Sequence, residues 1–178
     1  MTISNNFIFR VLQIVAWIIF VGLCIEASAL IVNFLFSIFK PEMVKNLYQK
    51  LDLSAMYAQS QWTFFGTYSF ILFIAGLKAH LFYTVVMLMQ KIDLQKPFSE
   101  FAATKIMNIA ASTFSIGIIS YVARQTTKSL LHYGYSIDQL NPFWADSQAF
   151  VLMGGVIYVI AVIFKRGVAL QTENEFTV

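Results

Sequence analysis

Few side chains in this chain could do chemistry, and most lie where charge is expensive. Glu26 and Lys78 each interrupt a long apolar run, at 11–39 and 62–89. An ionised side chain at the centre of a membrane helix costs about 2.5–3.5 kcal/mol on insertion scales, so each calls for a reason. Three are open: an ion pair across an antiparallel hairpin, a protonated Glu26, or a Lys78 that extends its stem to the headgroups. A lone acid could also hold a proton or a cationic ligand, although no second carboxylate completes a relay. Gly22, Glu26, Ala29 and Asn33 recur at i, i+4, i+7 and i+11, a small and polar stripe suited to helix contact.

His80 stands two residues from Lys78, about 200° around a helix, so the two cannot both face Glu26. It shares a face with Gly66, Ser69, Phe73, Gly76 and Tyr83, and the expectation is a hydrogen-bonded histidine turned toward a neighbouring helix. The other histidine, His132, lies in a polar connector, and the single cysteine, Cys24, lies in an apolar run. Neither a metal site nor an intramolecular disulfide follows from such a set. Asn108, Ser112 and Ser115, at i, i+4 and i+7, with Ser120 further along, suit bonds across helices or to their own backbone; the alternative is a permeation path. Nucleophile elbows, zinc-protease pairs and phosphate loops are missing, so the chain reads as a non-enzyme without cofactor or metal.

Composition says what must position these residues. The 178-residue chain is 58% hydrophobic and 12% charged, with 18 Phe and a mean hydropathy of +0.70. A soluble domain averages about 45–50% and about 25%. Protein alone cannot cover that much apolar surface, which leaves the lipid bilayer as partner. The net charge of +3 is scattered over every connector, which excludes direct nucleic-acid binding.

The hydropathy pattern predicts one all-α membrane domain over 1–178, built as two hairpins in series. Its helices fall at about 11–39, 62–89, 100–123 and 147–164, with connectors at 40–61, 90–99 and 124–146 and a tail at 165–178. Val11 to Phe39 would span about 43 Å, more than the ~30 Å hydrocarbon core. Its rival is a cleaved signal peptide, with Arg10, Val11 to Ile25 and Ala27-Ser28-Ala29 as its three parts. Glu26 beside the cleavage site and the apolar run beyond it favour a retained span.

Met43, Leu47, Leu51 and Leu53 fit either a short interfacial helix or an ordinary loop. Trp62 is placed as an interfacial anchor, and Tyr133, Gly134, Tyr135, Asn141-Pro142, Phe143 and Trp144 as an interfacial turn. Gly154-Gly155 would let a neighbouring helix approach closely. Placing both termini inside puts Arg10, Lys91, Lys96, Lys105, Lys165 and Arg166 in the cytoplasm and leaves Lys40, Lys45, Lys50, Arg124 and Lys128 outside. That small excess, and the Lys165-Arg166 pair, favour cytoplasmic termini.

The connector at 91–105 has the cleanest local signals. Ser99 is a good N-cap and Glu100 sets an anion at the positive end of the third span. Lys96-Pro97-Phe98-Ser99-Glu100, then Ile106 and Ile109, resembles the "G-K/x-PFS" hinge of a bacterial membrane-protein family, domain of unknown function 2975. The tail, Ile163-Phe164-Lys165-Arg166-Gly167, Leu170-Gln171 and Glu173-Asn174-Glu175-Phe176-Thr177-Val178, resembles its closing "F-R-R-G…L-Q-x-E-N-D-L-T-V". Glu175 replaces the usual Asp, Phe176 the Leu, and Gln95 a common Gly.

The resemblance implies four spans with cytoplasmic termini in a bacterial inner membrane. By association with neighbouring genes it implies a small cytoplasmic helix-turn-helix regulator as partner. No family activity comes with it. The expected contact face is Lys96, Pro97, Phe98, Ser99, Glu173, Asn174 and Glu175. The tail would either pack back, with Glu173 and Glu175 meeting Lys91 or Lys96, or serve as a recognition peptide. A regulatory or partner-binding role is the leading expectation. The alternative is a small transporter or channel component, oligomeric in one version, with Glu26, Lys78 and the serines lining a path.

Overall fold

The computed structural model describes residues 3–40, 42–43, 47, 51–94 and 96–176, with side chains from 7 to 173 within those ranges. Among the described residues six α-helices follow in order: α1 (Ile3–Phe39), α2 (Ser54–Gln59), α3 (Gln61–Lys91), α4 (Glu100–Leu131), α5 (Asn141–Trp144) and α6 (Ser147–Phe176), with a 3₁₀ turn at Asp138–Leu140. No strand occurs among the described residues. Four stretches are long and apolar enough to cross a membrane: Phe7–Phe39, Gln61–Lys91, Glu100–Leu131 and Asp138–Glu173. The chain is a multi-pass, all-α membrane protein.

Local chemistry sets the helix ends. Ser60 and Ser99 are extended residues whose hydroxyls accept hydrogen bonds from the Thr63 and Ala102 amides at 3.3 and 3.2 Å. Each satisfies an amide that the first helical turn leaves without a partner. The second cap is the one expected at Ser99. Past the end of α4, Gly134 takes a left-handed φ of 80°, and Tyr135 N–H donates back to Leu130 O at 3.2 Å.

α1 packs on α3, α3 on α4, and α4 on α6. Among the described residues α1 and α6 share at most marginal contact, so the spans form a row rather than a closed ring. Burial follows that order: 44% of the most apolar window of α4 and 28% of that of α3 are buried, against 11% for α1 and 17% for α6. Lipid must cover the rest. α1 presents Phe7, Leu12, Ile14, Ile18 and Ile25 outward, and α6 presents Leu152, Met153, Val156 and Ile163.

The tightest seam joins α4 and α6. A Cβ on Gly154 would stand 2.8 Å from Phe114 N, and one on Gly117 would stand 2.7 Å from Val151 N. The helices are therefore close enough for backbone to meet backbone, as small residues permit. Gly154 does what the Gly-Gly pair predicts, whereas Gly155 meets nothing within 4 Å.

The two long connectors meet at one end. Leu51, Leu53 and Met56 pack in one core with Ile137, Leu140 and Trp144. Asp52 N–H donates to Gln139 Oε1 (3.1 Å), and Gln59 Nε2 donates to Tyr133 O (3.3 Å). Phe64 carries the centre of this cap, with ring centroids of Tyr68 at 5.0 Å, Tyr57 at 5.1 Å and Phe34 at 5.9 Å. Each such pair adds about 0.5–1.5 kcal/mol beyond area burial.

Several expectations change. α4 runs to Leu131 instead of 123 and α6 to Phe176 instead of 164, because no proline intervenes and Ala169, Leu170, Gln171 and Glu173 favour helix. Residues 165–176 of the tail are the last three turns of α6. Within the described part of the first connector α2 begins at Ser54, and Leu51 and Leu53 before it are buried coil. Residues 41, 44–46 and 48–50, including Lys45 and Lys50, lie outside the described residues. Trp62 opens α3 at 88% exposed, while Trp144 of the expected interfacial turn is buried.

Candidate functional site

At the hinge end, α4 and α6 diverge and enclose an open cleft of about 680 Å³. α4 contributes Glu100, Ala103, Thr104, Met107 and Asn108, and α6 contributes Lys165, Val168, Ala169, Thr172 and Glu173. Both sets run i, i+3, i+4, i+7, i+8, so each is a single helix face. The floor is apolar or small. The rim carries two carboxylates, one ammonium, two hydroxyls and one amide. Such a cleft can hold an apolar side chain and hydrogen-bond its backbone or a neighbouring cation.

The hinge locks onto the tail beside this cleft. The Phe98 ring lies 5.2 Å from that of Phe164, and a Cβ on Gly167 would stand 2.5 Å from Phe98 Cδ1. Only glycine leaves that space. Phe98, Ser99 and Glu173 of the expected contact face thus gather at one end of the molecule. Lys96 is exposed on the hinge and Pro97 precedes Phe98 there. The side chains of Asn174 and Glu175 lie outside the description. Glu173 shares its cleft with Glu100 and Lys165, whereas Lys91 lies against Phe101, off the cleft.

Glu26 and Lys78 wall one crevice with Leu23, Ile71, Ile74, Ala75 and Phe143. They are brought together as hairpin neighbours, yet no ion pair within 4.0 Å joins them. The crevice holds about 10 Å³, on the order of one water, and no α4 serine reaches it. Of those serines, Ser120 is buried and Ser112 and Ser115 are half-buried, while Asn108 is exposed in the cleft.

Further along the small and polar stripe, Asn33 is completely buried, with neither Oδ1 nor Nδ2 hydrogen-bonded. The Tyr68 hydroxyl is buried and unpartnered as well. One turn on from Asn33, Ser37 Oγ donates to Asn33 O at 2.8 Å.

His80 departs from expectation. It is exposed together with Gly66, Ser69, Phe73, Gly76 and Tyr83, although the Tyr83 ring lies 5.9 Å from that of Phe20 in α1, and Gly66, Ser69 and Phe73 border a groove with Ile119 of α4. Its ring makes no hydrogen bond among the described residues. α3 is apolar on every side, and spacing alone could not tell which side faces protein. No group of three or more potential metal ligands occurs among the described residues.

Residues 47–178 match the family described as "Protein of unknown function (DUF2975)". The chain belongs to that family. No curated protein and no solved structure gives a significant match. The matched range of this DUF2975 protein holds Lys78, the hinge, the cleft and the tail, whereas Glu26 and Asn33 lie in α1 before it.

Sequence reasoning missed Ala103, Thr104, Met107, Lys165, Val168, Ala169 and Thr172 as parts of the site, and Gly117 as part of the seam. A signal for the cleft did exist. Carrying the helical period past Lys165 aligns residues 165, 168, 169, 172 and 173 on one face.

Proposed function

We propose that this DUF2975 protein is a non-enzymatic regulatory protein that docks a cytoplasmic partner in the α4–α6 cleft. One observation carries the reading: two motifs more than 60 residues apart in sequence, the hinge at 96–100 and the tail beyond Phe164, meet around one open cleft. An apolar floor rimmed by Glu100 and Glu173 suits an amphipathic segment that carries basic side chains. The resemblance to the family points to a small helix-turn-helix regulator as that partner. The basic residues at the hinge-side ends of the spans support a cytoplasmic hinge and tail in a bacterial inner membrane.

The test is a photo-crosslinking amino acid placed at Thr104 or Thr172 in living cells, with Ala169→Trp filling the cleft. A discrete adduct at both positions, lost with Ala169→Trp, is the expected result. Adducts to lipid alone, or adducts indifferent to Ala169→Trp, would refute docking. A reporter fused to the C-terminus tests the orientation independently. The transport alternative needs a path past Glu26 and Lys78, and the crevice there has room for about one water. It expects ion or solute flux in liposomes that Glu26→Gln abolishes.

A further inference from the structure

We propose that the end of α3 and the start of α4 form a binding site for an anionic phospholipid headgroup, held by Lys91 and Lys105, both of which stand over Phe101. Each ammonium stands 5.8 Å from the centroid of the Phe101 ring. One comes from the last residue of α3 and the other from the second turn of α4, so folding converges them on a single side chain. Among the described residues neither has a carboxylate within 4.0 Å. Two like charges gathered on one ring repel each other, and an anion placed between them relieves that repulsion.

Depth identifies the anion. Lys105 directly precedes the uncharged run 106–123, and Lys91 follows the apolar run that ends at Met89. Lys165 and Arg166 follow the uncharged run 147–164 of the partnering span. These residues share the level at which the spans meet lipid phosphates. Phe101 is half-buried there, an apolar wall for the glycerol and upper acyl chain beside two phosphate-binding cations. A zwitterionic headgroup brings its own ammonium, which the lysines repel, so the site selects net negative lipid. Phe101 and Lys105 run i and i+4 with Asn108 at i+7, so the site adjoins the edge of the docking cleft, whose centre lies toward Glu100, Ala103 and Met107.

Native mass spectrometry of the purified chain in neutral detergent, supplied with equal phosphatidylglycerol and phosphatidylcholine, reads the preference. Wild type is expected to retain phosphatidylglycerol, with affinity falling about fivefold per lysine and about 30-fold in Lys91→Gln/Lys105→Gln. Lys91→Arg/Lys105→Arg restores it. Lys40→Gln/Lys128→Gln, an equal charge loss elsewhere, leaves it unchanged. The proposal is overturned by equal retention of the two lipids in wild type, or by an equal loss in the Lys40/Lys128 variant. Displacement of the lipid by excess inorganic phosphate overturns it too, since the groove would then be a free-anion site.

Discussion

Gly154 and Gly155 are chain neighbours whose replacement by alanine should move stability in opposite directions. A Cβ on Gly154 would lie 2.8 Å from Phe114 N and 2.9 Å from its Cα. Both are backbone atoms, so no rotamer change relieves them, and the α4–α6 distance must open locally by about 0.6 Å to reach ordinary 3.4 Å contact. Overpacking of this kind costs about 1–3 kcal/mol. A Cβ on Gly155 meets nothing within 4 Å, so Gly155→Ala keeps only the helix-propensity gain, up to about 1 kcal/mol. The two variants should differ by roughly 2 kcal/mol, Gly154→Ala being the less stable. Gly117→Ala loads the same seam against Val151, so the Gly117/Gly154 double variant should cost less than the sum of its parts. Reversible unfolding in mixed micelles of increasing sodium dodecyl sulfate content, followed by fluorescence of buried Trp144, measures each difference. Equal stability of the Gly154 and Gly155 variants would falsify the close approach of α4 and α6.

Ser99→Ala should lose about 1 kcal/mol by leaving the Ala102 amide without its acceptor, while Ser99→Asp should keep stability within a few tenths; the same titration reads both. Asn33→Leu should be neutral or stabilising by about 1–3 kcal/mol, because it removes a buried amide that has no partner. A loss of that size would instead mean that bound water satisfies Asn33. Gly167→Val should drive the Phe98 ring off Phe164 and speed chymotryptic cleavage after Phe98, and cleavage at the wild-type rate would show that hinge and tail are not coupled there.

The amino-acid sequence by itself determined the number of spans, their order, the Ser99 cap and the two motifs that meet beside the α4–α6 cleft. Hydropathy acts over a whole span, and capping chemistry acts within one turn, so neither needs to know its neighbours. Helix ends were less legible: residues 124–131 and 165–176 are polar enough to look like connectors, yet contain nothing that breaks a helix.

Only the tertiary structure decided which faces meet. It set Gly154 inward and Gly155 outward, left His80 exposed, and put Glu26 and Lys78 on one crevice without an ion pair within 4.0 Å. It also laid the spans in a row and joined hinge to tail around the cleft. In water an apolar face must be buried against protein, and its periodicity announces which side is inside. In a bilayer, lipid covers apolar faces as well as another helix does, so spans apolar all round keep their rotation and partners out of the sequence pattern.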